Sequence, residues 1–161
     1  MGGTVRDSGA GGAAVVGGSG VHGTGAFAAR PIRAGEPVLT QRGRVVRTAE
    51  LSPAEKALML GPDLWLEADP ADPHPSDEVN HACDPNLGFR DGTLEMVALR
   101  DIAAGDELSF HYSTAMDEPG WGFPCRCGSG GCAGEVRGWS EISAAQRERL
   151  RPWALAWLKE R

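Results

Sequence analysis

Four cysteines form the pattern in this 161-residue chain that says most about its chemistry. Cys125, Cys127 and Cys132 are spaced C-x-C-x4-C with Gly and Ser between them, and Cys83 stands well apart. Thiolates are preferred ligands of tetrahedral Zn²⁺, and glycine permits the tight turns that wrap several ligands around one ion. Three clustered thiols leave one coordination position open, and Cys83 is the single cysteine that remains. We therefore predict a four-cysteine zinc site with a structural metal, because four protein ligands leave no position for water.

Disulfide bonds are the alternative interpretation of the same cysteines. They require an oxidising compartment, and the N-terminus shows no secretory signal because no apolar run follows Arg6. We therefore expect reduced thiols in a cytoplasmic protein.

A second group of chemically capable residues lies at Asn80–Asn86, which reads N-H-A-C-D-P-N. A polar turn, or an Asn–His pair that satisfies buried backbone groups, would explain it without any function. His81 and Cys83 also have the residue types of a nucleophilic dyad. The dyad is disfavoured because Cys83 is needed by the zinc site and no neighbouring residue is suited to orient the histidine.

The elements that position these residues are predicted to be short strands. Strands are expected at Leu87–Arg90, Leu94–Leu99 and Glu107–Tyr112, and Asp91-Gly92 is a hairpin signal between the first two. The count of 23 Gly and 11 Pro residues also favours turns and strands over a helical bundle.

One short sequence occurs twice with the pattern R-x-I-x-A-G-acid-x-aliphatic. It spans Arg30–Val38 and again Arg100–Leu108. The repetition predicts one turn type used twice in a β fold, and chance recurrence is the alternative.

Helices are expected mainly at the C-terminus, where Ser143–Gln146 is a capping box. Pro152 is expected to divide this region into two short helices, with Trp153 and Trp157 as packing anchors. A capping box at Ser52–Glu55 predicts a further helix over 53–60 that ends near Gly61-Pro62.

Overall charge and hydropathy exclude several classes of protein. The net charge of −6 disfavours a protein that binds nucleic-acid backbone, and suits a partner that is a basic peptide. No apolar stretch is long enough for a membrane-spanning helix. We expect a monomer that binds neither nucleic acid nor membranes.

Four motifs, taken in order, resemble those of SET-domain protein-lysine methyltransferases with a post-SET zinc segment. The resemblance covers roughly residues 19–138, and the second and fourth motifs are specific. They are Gly23-Thr24-Gly25 for the opening G-x-G, Asn80–Asn86 for N-H-S-C-x-P-N, Glu107–Tyr112 for E-L-T-F-D-Y, and Cys125–Cys132 for the post-SET C-x-C-G-S-x-x-C.

The resemblance implies methyl transfer from S-adenosylmethionine to a lysine ε-amine of a protein or peptide. It implies that backbone atoms around the motif Gly23-Thr24-Gly25 approach the cofactor, namely those of His22, Gly23 and Thr24. It implies that Asn80 and His81 hold the cofactor by hydrogen bonds. It also places Cys83 on the zinc ion with the three later cysteines.

The last matched motif supplies two further implied roles. Tyr112, the single tyrosine of the chain, is implied to stand beside the methyl group as the catalytic residue. Phe110 is implied to line the lysine channel, where Phe rather than Tyr leaves room for di- or trimethylation.

Three positions depart from the family pattern. Asp77 stands where the family often has Arg, and His111 replaces the aspartate of the third motif. A second channel tyrosine is missing, and the residues considered in its place are Trp65, Trp121 and Phe123.

The resemblance implies a mainly β SET fold, with small curved sheets around a threaded segment, a zinc-bound post-SET lid and short C-terminal helices. The predicted organisation is a disordered Gly/Ala-rich tail at 1–18, a SET domain at 19–115 with a short insert at about 50–76, a post-SET segment at 120–138 and a helical extension at 139–161. The alternative function is a SET-fold, zinc-stabilised protein-binding module with weak or no catalysis. A β-clip domain of another kind is a third alternative, and it leaves the cysteines unexplained.

Overall fold

The computed structural model describes residues 12–53 and 56–161. Within them the chain forms five small sheets of two or three strands each, and one α-helix of seven residues. The prediction of a mainly β fold is confirmed. In chain order the elements are β1 (Ala14–Gly18), β2 (Thr24–Ala28), β3 (Pro37–Thr40), β4 (Arg44–Val46), β5 (Ala57–Gly61), β6 (Leu64–Glu67), β7 (Asn80–His81), β8 (Leu87–Phe89), β9 (Glu95–Ala98), β10 (Ser109–Phe110), β11 (Gly122–Pro124), β12 (Glu135–Arg137) and α1 (Ala144–Leu150).

Four of the sheets are antiparallel and one is parallel. The antiparallel sheets have the orders β1-β2, β3-β9-β8, β4-β6-β5 and β11-β12, and the parallel pair is β10-β7. The main core packs β3, β8 and β9 against the hairpin of β5 and β6, which we call the insert hairpin. Leu39, Phe89 and Met96 are fully buried in this core. Single turns of 3-10 helix connect the strands at Thr48–Glu50, Pro75–Glu78 and Tyr112–Thr114, and further turns follow at Trp139–Glu141, Arg151–Trp153 and Ala156–Glu160.

The prediction of a disordered tail through residue 18 is wrong for its last part. Ala14–Gly18 forms β1, which pairs with β2 from Ala14↔Ala28 to Gly18↔Thr24. The small side chains of Ala13 and Ala14 are buried, and Gly17 lies against the ring of Phe27. Pairing with β2 supplies the hydrogen bonds and buried area that the segment lacks by itself. The tail residues 1–11 lie outside the described residues.

The predicted helix over 53–60 is also wrong, since Ala57–Gly61 is strand β5. It forms a hairpin with β6, with Ala57 opposite Glu67 and Gly61 opposite Leu64. Leu58 and Met59 are buried in the main core by this pairing. Burial against a partner strand outweighs the helix signal because local propensity is a weak prior. The end of the capping box, at 54–55, lies outside the described residues.

The repeated sequence forms the same turn twice, as predicted, and the two copies pair with each other. Ile32 and Ile102 exchange two backbone hydrogen bonds, of 2.9 and 2.8 Å, in an antiparallel bridge. Gly35 and Gly105 occupy equivalent positions at φ +81° and +86°, a left-handed conformation that favours glycine.

The acidic residue of the repeat closes each turn. A carboxylate oxygen of Glu36 accepts a hydrogen bond from the Arg33 N–H, and one of Asp106 accepts from the Ala103 N–H, both at 3.1 Å. The repeated sequence is therefore one structural unit used twice around a local two-fold relation.

The predicted β8–β9 hairpin is confirmed, with a turn at Asp91-Gly92 in which Gly92 has φ +70°. The third predicted strand, Glu107–Tyr112, is shorter than expected. Only Ser109–Phe110 pairs as β10, because the chain turns into a 3-10 helix at Tyr112.

Short helical turns near the C-terminus pack against the insert hairpin and against β8. Ser143 caps α1 in a reciprocal arrangement with Gln146, as predicted. The indole of Trp157 donates to the Met59 carbonyl at 3.0 Å, and Trp153 covers Gly88 so closely that a side chain there would collide. Trp157 is a packing anchor, as predicted, whereas Trp153 covers Gly88 with the base of its side chain and is 36% exposed. Among the described residues, none of the helices has the length and apolar character needed to cross a membrane.

Candidate functional site

Parallel pairing of β7 with β10 brings the second and third motifs together. Asn80 lies beside Ser109 and His81 beside Phe110, and the Ala82 N–H donates to the Phe110 carbonyl at 3.2 Å. Tyr112, two residues beyond β10, therefore emerges next to His81. We call this meeting point of β7 and β10 the motif junction.

The side-chain amide of Asn80 is the polar centre of the motif junction. It donates to the Thr24 carbonyl at 2.9 Å and to the Glu107 carboxylate at 2.8 Å, with the Ser19 hydroxyl at 3.3 Å. Ser19 itself donates to the same Glu107 oxygen at 2.7 Å. Asn80 therefore ties the turn between β1 and β2, which carries the first motif, to the junction.

Glu107 and Ser19 are hydrogen-bond partners of Asn80 that the sequence analysis did not predict. Glu107 opens the third motif, which was the available signal, whereas nothing in the sequence singles out Ser19. Gly25 belongs to the same arrangement, because a Cβ there would lie 2.5 Å from the Glu107 carboxylate oxygen. Glycine at this position makes room for Glu107.

A cavity of about 540 Å³ opens beside the junction, a size typical of small-molecule sites. Of the predicted cofactor residues, His22, Asn80, His81 and Tyr112 line it. Gly23, Thr24 and Gly25 are not among the lining residues. The full lining is Val21, His22, Lys56, Asp77, Asn80, His81, Tyr112, Phe123, Pro124, Cys125, Arg126 and Cys127.

Gly23 and Thr24 do not line this cavity, but they directly follow His22, which does. Gly23 has φ +43°, a conformation that an L side chain rarely adopts, and a Cβ there would meet open space. Gly23 therefore matters through the turn it allows, and Thr24 through the carbonyl that Asn80 binds.

A second, smaller cavity of about 220 Å³ lies on the other side of Tyr112. Its walls include Phe110, Met116 and Trp121 and are mainly apolar. Phe110, which the family resemblance implied would line a substrate channel, lines this smaller cavity. The two cavities share three lining residues, which are Lys56, Asp77 and Tyr112.

Of the three residues considered as replacements for a second tyrosine, two are at the site. Trp121 lines the smaller cavity and Phe123 the larger one, with their rings 5.6 Å apart. The suggestion that Trp65 lines the channel is wrong. Trp65 is buried in β6, where its indole donates to the Thr48 hydroxyl at 3.0 Å.

Tyr112 stands between the two cavities with a neutral hydroxyl. Burial, followed by the negative charges of Glu78 and Glu107, raises its pKa to about 12. The hydroxyl donates to the Val79 carbonyl at 3.0 Å, and the ring packs against Phe110 with centroids 4.8 Å apart. Because its proton is committed to Val79, the hydroxyl oxygen presents acceptor lone pairs to any other group.

Asp77, which replaces an arginine typical of the resembled family, is half-buried beside both cavities. Its Oδ2 accepts from the His74 N–H at 2.9 Å. Burial is the main reason that its pKa is raised, and the neighbouring Glu78 and Asp72 act in the same direction.

The four cysteines converge although Cys83 is distant from the others in sequence. Their four Sγ atoms lie within 4.8 Å of one another, and Cys83 Sγ is 3.7 Å from Cys125 Sγ and 3.9 Å from Cys132 Sγ. A tetrahedral zinc ion with Zn–S bonds of about 2.3 Å requires S···S separations of about 3.8 Å. All four are free thiols, so the donor set and its geometry fit a zinc ion.

Hydrogen bonds within the cysteine cluster favour one thiolate. Burial opposes ionisation of Cys127, but its hydrogen bonds with the Ser129 side chain and with the Cys83 N–H lower its pKa to about 6. Burial is the main reason that the pKa values of Cys83 and Cys125 are raised. A bound cation would deprotonate these thiols as well, because metal ligation requires thiolates.

His81 connects the cysteine cluster to Tyr112. Its Nδ1 accepts from the Tyr112 N–H at 3.2 Å, which leaves the proton on Nε2, 3.4 Å from Cys83 Sγ. Burial lowers its pKa to about 4, so the ring is neutral. In this tautomer Nε2 donates to the sulfur and does not accept its proton, which argues against a nucleophilic Cys83–His81 dyad.

Two further contacts around this centre were not foreseen from the sequence. His111, in place of an aspartate, is buried edge-on to His81 with ring centroids 4.7 Å apart. Burial is the main reason that the pKa of His111 is lowered to about 3, and the positive charge of Arg149 acts in the same direction. Its Nδ1 has no hydrogen-bond partner among the described residues. The guanidinium of Arg149 donates twice to the Cys83 carbonyl at 3.4 Å, which joins α1 to the cysteine cluster.

Several curated proteins and solved structures are similar to this chain. The sequence profile described as SET domain matches residues 23–113. Histone-lysine N-methyltransferase 2B of Homo sapiens is 32% identical over 130 residues, which is 71% of this chain and 5% of that protein. Methyltransferase flvH of Aspergillus flavus is 36% identical over 72 residues, which is 44% of this chain and 40% of that protein.

Two solved structures share the fold. KRYPTONITE in complex with mCHH DNA, an H3(1-15) peptide and SAH has a TM-score of 0.60 at 24% identity, covering 75% of this chain and 29% of that one. The Chaetomium thermophilum polycomb repressive complex 2 has a TM-score of 0.51 at 27% identity, covering 62% of this chain and 15% of that one. This chain spans less than half the length of each of these four proteins. Since the SET profile matches more than half of the chain, on a fold that these structures share, the protein belongs to the SET-domain family.

Proposed function

We propose that this protein transfers a methyl group from S-adenosylmethionine to the ε-amine of a lysine in a protein or peptide substrate. The observation that carries the proposal is the meeting of two cavities at Tyr112. One cavity has the size of a small-molecule site and the other is a narrow, mainly apolar space. Relatives named histone-lysine N-methyltransferases support lysine methyl transfer in general.

The larger cavity is the proposed cofactor site. Its volume of about 540 Å³ lies within the range of ligand pockets. His22, Asn80 and His81 would hold the cofactor there, with the turn at Gly23 and Thr24 shaping the adjacent wall. S-adenosylmethionine, when bound, supplies a methyl group already activated on a sulfonium.

The smaller cavity is the proposed lysine channel. A free lysine has a pKa of about 10.4, so its amine must lose a proton before it can accept a methyl group. Apolar walls such as Phe110, Met116 and Trp121 favour the neutral amine because they desolvate it. The acceptor oxygen of Tyr112 would take a hydrogen bond from an amine N–H and so fix the direction of the nitrogen lone pair.

The cysteine cluster is the proposed site of a structural zinc ion that closes the cavity. Cys125 and Cys127 line the larger cavity on the side opposite Asn80 and also belong to the cluster. Four thiolates fill a tetrahedral zinc ion and leave no position for water. The metal would therefore hold the segment around β11, which we propose acts as a post-SET lid, and would take no part in methyl transfer.

A lysine-containing peptide of basic character is the proposed partner, and the protein is proposed to act as a monomer. The net charge of −6 favours such a partner electrostatically. The solved structure of KRYPTONITE contains an H3(1-15) peptide. That peptide is therefore a reasonable first probe.

Labelled S-adenosylmethionine with this peptide and a lysine-rich peptide mixture, followed by mass spectrometry, tests the proposal. We expect methyllysine from the native protein and a loss of product with Tyr112→Phe. Calorimetry with S-adenosylmethionine separates the alternatives. Cofactor binding without transfer to any peptide would support a non-catalytic binding module, and absence of binding would contradict the proposed site.

A further inference from the structure

Three residues line both cavities, and one of them is a primary amine. Lys56 belongs to this shared wall together with Asp77 and Tyr112. The chain has only two lysines, Lys56 and Lys159. One of the two therefore lines both of the cavities that the proposed reaction uses.

A hydrogen bond holds the backbone of Lys56 in place, whereas its side chain can change position. Its carbonyl accepts from the Ala68 N–H at 2.8 Å beside the β5–β6 hairpin, which anchors the residue next to the cavities. Its Nζ is 2.5 Å from a Glu78 carboxylate oxygen, and its side chain is 57% exposed. An exposed ion pair of this kind is weak, so the amine readily leaves Glu78.

Lysine has a flexible four-carbon stem, so an anchored backbone still leaves its Nζ a range of positions. An amine tethered beside the site has an effective concentration on the order of mM, whatever the concentration of external peptide. Proximity of this kind converts a bimolecular step into a unimolecular one. The apolar side chains of the smaller cavity, such as Phe110 and Met116, favour the neutral form of an amine that enters it.

We propose that Lys56 is a methyl acceptor of this protein's own reaction, modified within the same molecule. The inference rests on the proposed function. The Lys56 ammonium first gives one proton to solvent. The neutral Nζ then forms a bond to the methyl carbon as the sulfur–carbon bond of S-adenosylmethionine breaks, and that electron pair stays on sulfur. The products are a charged methylammonium at Lys56 and S-adenosylhomocysteine.

Self-methylation has a consequence for substrate access. While Lys56 Nζ occupies the space beside Tyr112 where the two cavities meet, it competes with a peptide lysine for that position. The unmodified protein is therefore expected to show a lag in peptide methylation that a prior incubation with S-adenosylmethionine shortens.

Incubation of the full chain with S-adenosylmethionine alone, followed by peptide mass spectrometry, tests the inference. Lys159 is the matched internal control, because it is the other lysine and it pairs with Asp91, away from both cavities. We expect methyl groups on Lys56 and none on Lys159. The initial rate per molecule should not change across a wide dilution series, and Lys56→Arg should abolish the signal.

Different failures have different meanings. Methylation of the H3(1-15) peptide without methylation of Lys56 overturns this inference and leaves the proposed function intact. A rate per molecule that rises in proportion to protein concentration overturns the intramolecular step. Methylation of neither Lys56 nor any peptide, in protein that binds S-adenosylmethionine, overturns both proposals.

Discussion

The motif junction and the cysteine segment line the same cavity, but they are held in place by different forces. At the junction the amide of Asn80 and the carboxylate of Glu107 bind each other and further protein groups, in largely buried surroundings. In the cysteine segment, strand β11 is exposed along its length. The sulfur of Cys83 finds its partners mainly among other sulfurs. The comparison distinguishes a wall held by hydrogen bonds between buried protein groups from an exposed wall whose main internal contacts join cysteine sulfurs.

The largest effect we expect is on the second of these walls. Removal of the metal, or Cys127→Ser, should greatly speed amide hydrogen exchange over residues 122–135, because the ligand that joins the four sulfurs is lost. Exchange over 80–82 and 108–110 should change little. Metal analysis should find about one zinc ion per chain.

Ser129→Ala is the matched control for this experiment. It removes the hydroxyl whose oxygen lies 3.2 Å from Cys127 Sγ but keeps all four thiols. We expect it to retain the metal. A metal-free protein whose cysteine segment stayed protected from exchange would contradict the distinction between the two walls.

The next largest effect concerns Tyr112, where the two cavities meet. Tyr112→Phe removes the oxygen that orients the amine while it keeps the ring packed against Phe110. We expect methyl transfer to fall by roughly 100-fold, the cost of a misaligned reacting group, with little change in cofactor affinity. Single-turnover rates and calorimetry on the same preparation measure the two quantities. An equal loss in both would show that Tyr112 acts by holding the cofactor.

A smaller effect is expected when the junction itself is weakened. Asn80→Ala removes the side-chain donor of the Thr24 carbonyl and leaves Glu107 Oε1 with the Ser19 hydroxyl alone, at a cost of about 1–3 kcal/mol for a group left unsatisfied. We expect weaker binding of S-adenosylmethionine and a lower free energy of unfolding. Glu107→Gln is the milder comparison, because its amide oxygen can still accept from Asn80. If Asn80→Ala and His81→Ala both bound the cofactor normally, the cofactor site would lie elsewhere.

The smallest effect is on product distribution, not on rate or stability. Phe110 lines the proposed channel and leaves space around the amine, so we expect di- or trimethyllysine from the native protein. Phe110→Tyr adds a hydroxyl that would hold a water and limit rotation of a methylated amine, which shifts the product toward monomethyllysine. Mass spectrometry of the product peptide measures the ratio. Strictly monomethylated product from the native protein would contradict this role for Phe110.

Much of the site could be predicted from the sequence because its motifs are short and their residue types are specific. The cysteine spacing indicated a metal site, and the family resemblance supplied the roles of Asn80, His81 and Tyr112. The hydrogen bonds that Asn80 makes could not be predicted. Ser19 and Glu107 reach it from distant parts of the chain, and no local pattern encodes such a meeting.

Local structure was predicted least well where tertiary pairing decides it. Ala14–Gly18 has too little apolar area to order alone, yet β2 gives it a partner strand. Ala57–Gly61 follows a helix-start signal, yet it forms a strand because β6 lies beside it. The position of Lys56 at the shared wall also depends on that hairpin, and no local sequence pattern predicts it.

The repeated turn has a consequence for how this chain folds. Each copy is completed by the other, since the Ala34 N–H donates to Asp101 across 67 residues of sequence and Ile32 bridges Ile102. Closing a loop of that length costs conformational entropy before any contact is gained, which slows folding in proteins dominated by distant contacts. The residues between them, including Asn80 and His81, are therefore expected to become ordered together in one cooperative step.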